Sequence, residues 1–345
     1  MTLPQPGTAE LPRSFPGALP RKNPFFIFGC PRSGTSLLSK MMGTHPNIAI
    51  PYESHLYDSI YPIVQRYGNL VHPRTRERLV AEILRTEHVG MWIPKPTLEG
   101  TLHAIERHDF HGIVDGLLRG WALGQGKSRW GEKTPQHTLC WRGILEGFPE
   151  MQVVHLIRDG RDVALSYRAA YFGPKHVYSL ARRWQRYVAA AEEAHACLGE
   201  TAFLQVRYED LTAAPEQELR RICTFLGEEF SAGMLTQYHE DNAVHSEQRN
   251  AANLRQPILS SNTGKWRTQM SRRELRIFEA LAGDTLERYS YPRALSRPRV
   301  SALEALSCCY LEHPPRRAFA MLRNREGPRL ALQKLRLHLF LGLGV

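Results

Sequence analysis

The stretch "GCPRSGTS" at residues 29–36 reads G-x-x-x-x-G-x-S, one residue away from the phosphate-loop pattern G-x-x-x-x-G-K-[ST], with Thr35 where that pattern has its lysine. Gly29 and Gly34 permit a tight turn, on which successive backbone N–H groups converge on one point. Arg32 adds a guanidinium and Thr35 and Ser36 add hydroxyls, so the chemistry on offer is the binding of an oxyanion. The missing lysine is the group that holds the β- and γ-phosphates of a nucleoside triphosphate, so its absence argues for a shorter anion. A second cluster, "LIRDGRDVALSY" at 156–167, sets Arg158 at the end of an apolar run and Ser166 eight residues on. A forked guanidinium matched by a hydroxyl suits a phosphate monoester. Equally, Arg158 could be a strand-end arginine paired with Asp159 or Asp162.

These groups act together only if the chain brings them to one crevice. "FFIFG" at 25–29 is a continuous apolar run of the kind buried on both faces of a parallel sheet, and "SLLSKMMG" at 36–43 is expected to be the helix that follows the loop. A strand over 152–157, a turn at Asp159 and Gly160 and an amphipathic helix repeat the unit; a strand over 203–207 and a helix opened by Pro215 and reaching about Leu226 follow. Between them, 76–126 reads mostly helical, and "RWGEKTP" is expected to be a short strand and turn before a helix from Thr138, with His137 an ordinary helix-entry residue. Strands alternating with helices imply an α/β chain with a P-loop-like three-layer fold, a central parallel sheet flanked by helices. Ligands of such sheets bind outside the carboxyl ends of the strands, which would turn Arg158 towards the same crevice as the loop.

The 345 residues suit one large domain or two small ones, without internal repeats. Lys and Arg number 45 against 34 Asp and Glu, a net +11 that favours anionic partners. Residues 291–345 hold ten Lys/Arg and three Asp/Glu, so 10 − 3 = +7 of the excess sits in this last part. Six cysteines are scattered without C-x-x-C pairs, which argues against a zinc site and a disulfide scaffold and for a reducing compartment. The Pro-rich start has no apolar core of a signal peptide, so residues 1–24 are expected to be a disordered leader and the protein cytoplasmic. The longest apolar stretch, "LFLGLGV", is far short of the roughly 20 residues that span a bilayer. "RLALQKLRLHLFLGLGV" at 329–345 suits a basic helix lying on an anionic membrane surface, a helix packed on the domain, or a strand. No nucleic-acid partner is expected.

Together the two anion clusters resemble those of sulfotransferases that use 3′-phosphoadenosine 5′-phosphosulfate (PAPS). "WGEKTP" at 130–135 and "NTGKW" at 262–266 are similar to segments of the branch that includes the tyrosylprotein sulfotransferases and related bacterial enzymes. The resemblance covers about 25–289 and implies a sulfotransferase domain over 25–290, followed by a basic extension over 291–345. It implies that Arg32, Ser33, Gly34, Thr35 and Ser36 hold the 5′-phosphosulfate, that Arg158 and Ser166 hold the 3′-phosphate, and that Tyr208 and Lys265 belong to the donor site. Glu53 of "IPYESHLY" falls where the branch has its base, with His55 as the rival, and Lys133 falls where the branch has its catalytic lysine; Arg32 would be a second catalytic cation. The implied reaction is in-line transfer of a sulfuryl group to a hydroxyl or amine, without a metal. Peptide tyrosine, glycan, lipid and small phenol all stay open as acceptors. The alternatives are a P-loop nucleotide kinase or NTPase, weakened by Thr35, and a non-enzymatic polyanion-binding protein working through the basic tail.

Overall fold

Phe25–Phe28 forms strand β1, and all four of its side chains are buried. Because successive residues of a strand point to opposite faces, Phe25 and Ile27 join Leu38, Met41 and Ile222 on one side of the sheet, while Phe26 and Phe28 join Tyr57 and Trp130 on the other. That two-sided burial is why the run is apolar without alternation. The computed structural model describes residues 22–170, 173–238 and 262–322. In it β1 stands with β2 (Ile48–Ala49), β3 (Arg129–Glu132), β4 (Gln152–Ile157) and β5 (Phe203–Arg207) in the order β2-β3-β1-β4-β5, every neighbouring pair parallel. Phe26 lies opposite Glu132 and Phe28 opposite His155, so the segments leaving β1, β3 and β4 open on the same edge of the sheet. The chain is therefore the α/β, helix-flanked parallel sheet that the patterning implied.

Helix α1 (Thr35–Gly43) starts directly from the glycine loop and buries Leu37, Leu38, Met41 and Met42 against the sheet. Helices Pro73–Arg85, Glu87–Gly90, Leu98–Ala104 and Phe110–Leu123 occupy the stretch read as helical. The helix expected from Thr138 is instead a 3-10 turn, Pro135–Cys140, with an α-helix only from Trp141–Gly147. The cause is tertiary: Thr138 Oγ1 accepts a hydrogen bond from Gly29 N at 2.9 Å, which ties this turn to the loop after β1. Pro215–Leu226 is helical as expected and closes on Gly227 in the left-handed conformation, φ 69°.

The third apolar cluster lies where helices Gly160–Ala169, Val177–Leu198 and Arg272–Arg288 meet, around Tyr167, Trp184 and Phe278. Within it Arg161, 0% exposed, is paired with Asp159 and Glu279 at 2.7 Å each and lies over the Trp266 ring at 3.6 Å. Removing one partner of such a buried pair costs about 3–5 kcal/mol. The chain beyond Tyr291 is drawn into the same cluster: Arg161 donates to Pro292 O, Glu279 accepts from the amides of Ala294 and Leu295, and Cys308 is fully buried. His176, Cys308 and Glu312 bring one ligand atom each within 4.8 Å, yet both oxygens of Glu312 accept from Arg273, which already neutralises that carboxylate. All six cysteines are free. No helix among the described residues is long and apolar enough to cross a membrane. The leader as far as residue 21 and the Leu- and Arg-rich tail from 323 lie outside the described residues.

Gly131 in β3 has no room for a side chain, because a Cβ there would clash with the edge of the Phe25 ring. Gly131→Ala is expected to lower the free energy of unfolding by about 1–3 kcal/mol through overpacking. Chemical denaturation of the two proteins checks it, and equal midpoints would contradict the packing described.

Candidate active site

The glycine positions of the loop are dictated by what passes behind them. A Cβ on Gly29 would lie 2.6 Å from Leu156 O of β4, and one on Gly34, which has φ 97°, would strike the Tyr208 ring. Ser33 N donates to Cys30 O at 3.0 Å, closing the turn, and Leu37 N donates to Gly34 O, starting the helix. Arg32 takes the left-handed conformation, φ 77°, at a cost of about 1–2 kcal/mol for a residue with a side chain. Its guanidinium reaches Ser166 Oγ, Nε donating at 3.0 Å, so two residues assigned to different phosphate positions stand side by side.

Arg158 is buried at the end of β4, its guanidinium 4.4 Å from the Tyr208 ring centre. Nη1 donates to Arg32 O at 3.2 Å and Nη2 to Asn262 O at 2.5 Å, while Asn262 Nδ2 donates to the Tyr208 hydroxyl. Neither neighbouring acid hydrogen-bonds it. Asp159 is bonded by Arg161, and the two oxygens of Asp162 accept from Gly264 N and Trp266 N at 2.6 and 2.9 Å. Asp162 thereby pins the "NTGKW" segment, in which Lys265 is half-buried at the start of the short helix Trp266–Gln269. Among the described residues Ser33 Oγ and Arg158 Nε are buried without a hydrogen-bond partner. Such atoms cost about 1–3 kcal/mol each when left unmet, and an oxyanion at each would meet them. The donor set thus fits a phosphate or sulfate ester.

Lys133, one residue past β3 and 1% exposed, joins this loop to the carboxylates. Its Nζ lies 3.1 Å from Ser36 Oγ and 2.5 Å from Glu53 Oε1. Burial pushes the Glu53 carboxyl up, but Lys133 and His55 outweigh it and hold the group well below the usual carboxylate range. Burial pulls His55 down, but its contacts with Asp58 and Glu53 win and push it up to about 9. These contacts favour the charged form of His55, the form that is less suited to act as a base.

The segment carrying Glu53 is fixed by a carboxylate that the sequence reading passed over. Glu132 accepts from Ser54 Oγ at 2.7 Å, Thr134 Oγ1 at 2.6 Å, Thr134 N at 3.1 Å and His137 Nδ1 at 2.8 Å. His137 is thus no ordinary helix-entry residue. It is buried between Glu132 and Asp58, which push it up to about 9 against the opposing effect of burial, while the Tyr57 amide, 3.1 Å from Nε2, favours the neutral ring. The amide can donate only to an unprotonated Nε2, with Nδ1–H on Glu132, whereas the contact with Asp58 favours the protonated ring. The available signal was Glu132 itself, a charge at the end of a buried strand that had to find partners. A recess of about 120 Å³ walled by Tyr52, Trp92, Ile93 and Trp121 lies beside α1; its lining includes none of Glu53, Lys133 or Arg158.

Residues 24–232 match the sulfotransferase family. An uncharacterized protein of Aquifex aeolicus is 27% identical over 257 residues, 72% of this chain and 31% of that one. A protein-tyrosine sulfotransferase of Drosophila melanogaster is 23% identical over 226 residues, 63% of this chain and 40% of that one. This chain therefore spans well under two thirds of the length of either relative. The sulfotransferase domain of the Synechococcus PCC 7002 olefin synthase has the same fold, with a TM-score of 0.52 at 21% identity, covering 80% of this chain and 98% of that domain.

The Lys133–Glu53 pair has a signature in pH. Because the folded carboxyl sits below its unfolded value, Glu53 contributes stability that is present above about pH 4.5 and is lost as the pH falls through the folded value. In Lys133→Met burial loses its largest opponent and Glu53 moves up, so the variant is expected to lose about 3 kcal/mol at pH 7 and to show a flatter stability profile between pH 5 and 3. Denaturation at a series of pH values checks this. A variant as stable as the parent at pH 7 would remove the pair from the account.

Proposed function

The chain belongs to the sulfotransferase family, and from that premise we propose that it moves a sulfuryl group from PAPS to a hydroxyl or amine acceptor. The observation that carries the reading is Lys133, whose ammonium touches both the phosphate loop at Ser36 and the carboxylate of Glu53. Anion loop, cation and base candidate are one connected unit. When bound, PAPS supplies a sulfuryl group already activated by attachment to a phosphate.

The loop amides with Arg32, Ser33, Thr35 and Ser36 receive the 5′-phosphosulfate, Arg158 and Ser166 the 3′-phosphate, with Arg32 bonded to Ser166 between the two, and Tyr208 and Lys265 flank the nucleotide. Lys133 is drawn from Glu53 towards the new negative charge, which releases the carboxylate and raises its affinity for a proton. The acceptor then gives its proton to Glu53 and an electron pair to sulfur, while the bond from sulfur to the 5′-phosphate oxygen breaks and that oxygen keeps its pair. Lys133 stabilises the charge left there, and positioning with electrostatics does the rest. A transferring sulfuryl group carries less negative charge than a terminal phosphoryl group, so the scheme uses no metal. The kinase alternative is not favoured: its loop lysine is Thr35, and Asp159 and Asp162 are bound by Arg161 and by backbone amides. The likeness to a protein-tyrosine sulfotransferase puts peptide tyrosine first among acceptors to assay. Six free thiols support a reducing compartment, the cytoplasm.

Calorimetry with 3′-phosphoadenosine 5′-phosphate is expected to show binding, weakened about 10- to 100-fold by Arg158→Ala through the loss of charge-assisted hydrogen bonds. Glu53→Gln is expected to keep that binding and to lower transfer from labelled PAPS by at least about 100-fold. Tight binding of ATP with magnesium and none of the adenosine bisphosphate would overturn the reading.

A further inference from the structure

Glu53 is held from two sides. Lys133 takes Oε1, and His55 Nε2 faces Oε2 at 3.5 Å. His55 is in turn held from behind, its Nδ1 3.1 Å from Asp58 Oδ2, and Asp58 Oδ1 is faced by His137 Nε2 at 3.5 Å. The left-handed backbone of His55, φ 53°, starts the π-helical turn Leu56–Ile60 and folds the chain so that Asp58 returns to the ring of His55. The His88 ring, from the helix Glu87–Gly90, lies 4.0 Å from that of His55, and Thr134 Oγ1 accepts from the His55 amide. The titratable groups facing His55 are thus Glu53, Asp58 and His88, with Lys133 and His137 one contact further out.

Resting on the sulfotransferase reading, we propose that Asp58 is a positioning residue for the transfer: it keeps His55 as a cation against the Glu53 oxygen that Lys133 does not hold. The need arises when Lys133 turns to the donor. A carboxylate in a buried setting without a counter-charge takes up a proton from solvent and can no longer act as a base. With His55 still on Oε2, Glu53 stays ionised and oriented, and Oε1, the oxygen that Lys133 leaves, faces the acceptor's proton. His55 already carries its proton and takes none. Asp58 touches no reacting atom and works through His55 alone.

The test uses the full chain with selectively labelled histidine, followed by NMR over pH in the parent, Asp58→Asn and His55→Gln, the last identifying the resonance. In the parent His55 is expected to keep its proton up to about pH 9. In Asp58→Asn its midpoint is expected to fall towards the ordinary histidine value of about 6.5, with affinity for 3′-phosphoadenosine 5′-phosphate unchanged. The rate of transfer from labelled PAPS should show the same movement: its alkaline limb moves down in Asp58→Asn, returns in Asp58→Glu and disappears in His55→Gln, whose amide cannot titrate. A purely structural role would lower the rate without moving the limb. An unmoved His55 midpoint or an unmoved limb in Asp58→Asn overturns the proposal; if that variant does not fold, an alkaline limb persisting in His55→Gln does so. A parent that binds no adenosine bisphosphate overturns the sulfotransferase reading instead, and the NMR midpoints still decide the Asp58–His55 coupling.

Discussion

Glu132 ends β3 with 2% of its surface exposed, and a carboxylate in such a place is tolerated only when its lone pairs are filled. What fills them sets the site. Ser54 comes from the segment after β2, Thr134 from the residues after β3, and His137 from the turn beyond. Each bond is ordinary; together they fasten the residue after Glu53 to the residue before Lys133. The ion pair between Glu53 and Lys133 is therefore the outer member of two adjacent cross-links, the inner one being Ser54 with Glu132. A long lysine alone would meet its partner in many geometries; with its neighbours locked, little conformational freedom remains to be lost.

The same arrangement returns a cation to the loop in which Thr35 stands in place of lysine. A cation is still present, but it comes from β3, which pairs with β1 so that Phe26 is opposite Glu132 and Lys133 follows at once. A lysine at position 35 would serve the bound anion only. A lysine just past β3 reaches Ser36 on one side and Glu53 on the other, and so links the proposed base to the loop.

What could be read from the sequence follows from how local each determinant is. β1 and β4 were legible because a strand covered on both faces reads as a largely apolar run, and the Pro215–Leu226 helix because Pro opens it and Gly227 closes it. β2 was not, since two residues show no period. The helix expected from Thr138 starts only at Trp141, because the turn before it is tied by the bond from Gly29 to Thr138, 109 residues apart. In the site, glycines and cations announced the anion loop, and resemblance supplied Glu53 and Lys133. That Arg158 hydrogen-bonds neither adjacent acid depends on Arg161 bonding Asp159, and on Gly264 and Trp266 capping Asp162, neither of which any local pattern contains. His137 looked ordinary because Asp58, one of the two acids facing it, lies far away in the sequence.

A carboxylate held this far below its usual range is a poor base, which at first sight weighs against Glu53. The magnitudes reverse that judgement. Moving a unit charge away from about 4 Å at an effective dielectric of about 20 changes the energy of the ionised form by about 4 kcal/mol, equivalent to about three pKa units. A displacement of Lys133 towards a bound anion removes part of this interaction and so raises Glu53 from its lowered resting value. One ammonium cannot fully neutralise both Glu53 and a leaving phosphate, so whichever charge it serves, the other is changed. In the proposed reaction Lys133 restrains Glu53 while the loop is empty, and a seated anion draws the ammonium away from it. On the proposed reaction the low basicity at rest puts donor binding before proton transfer.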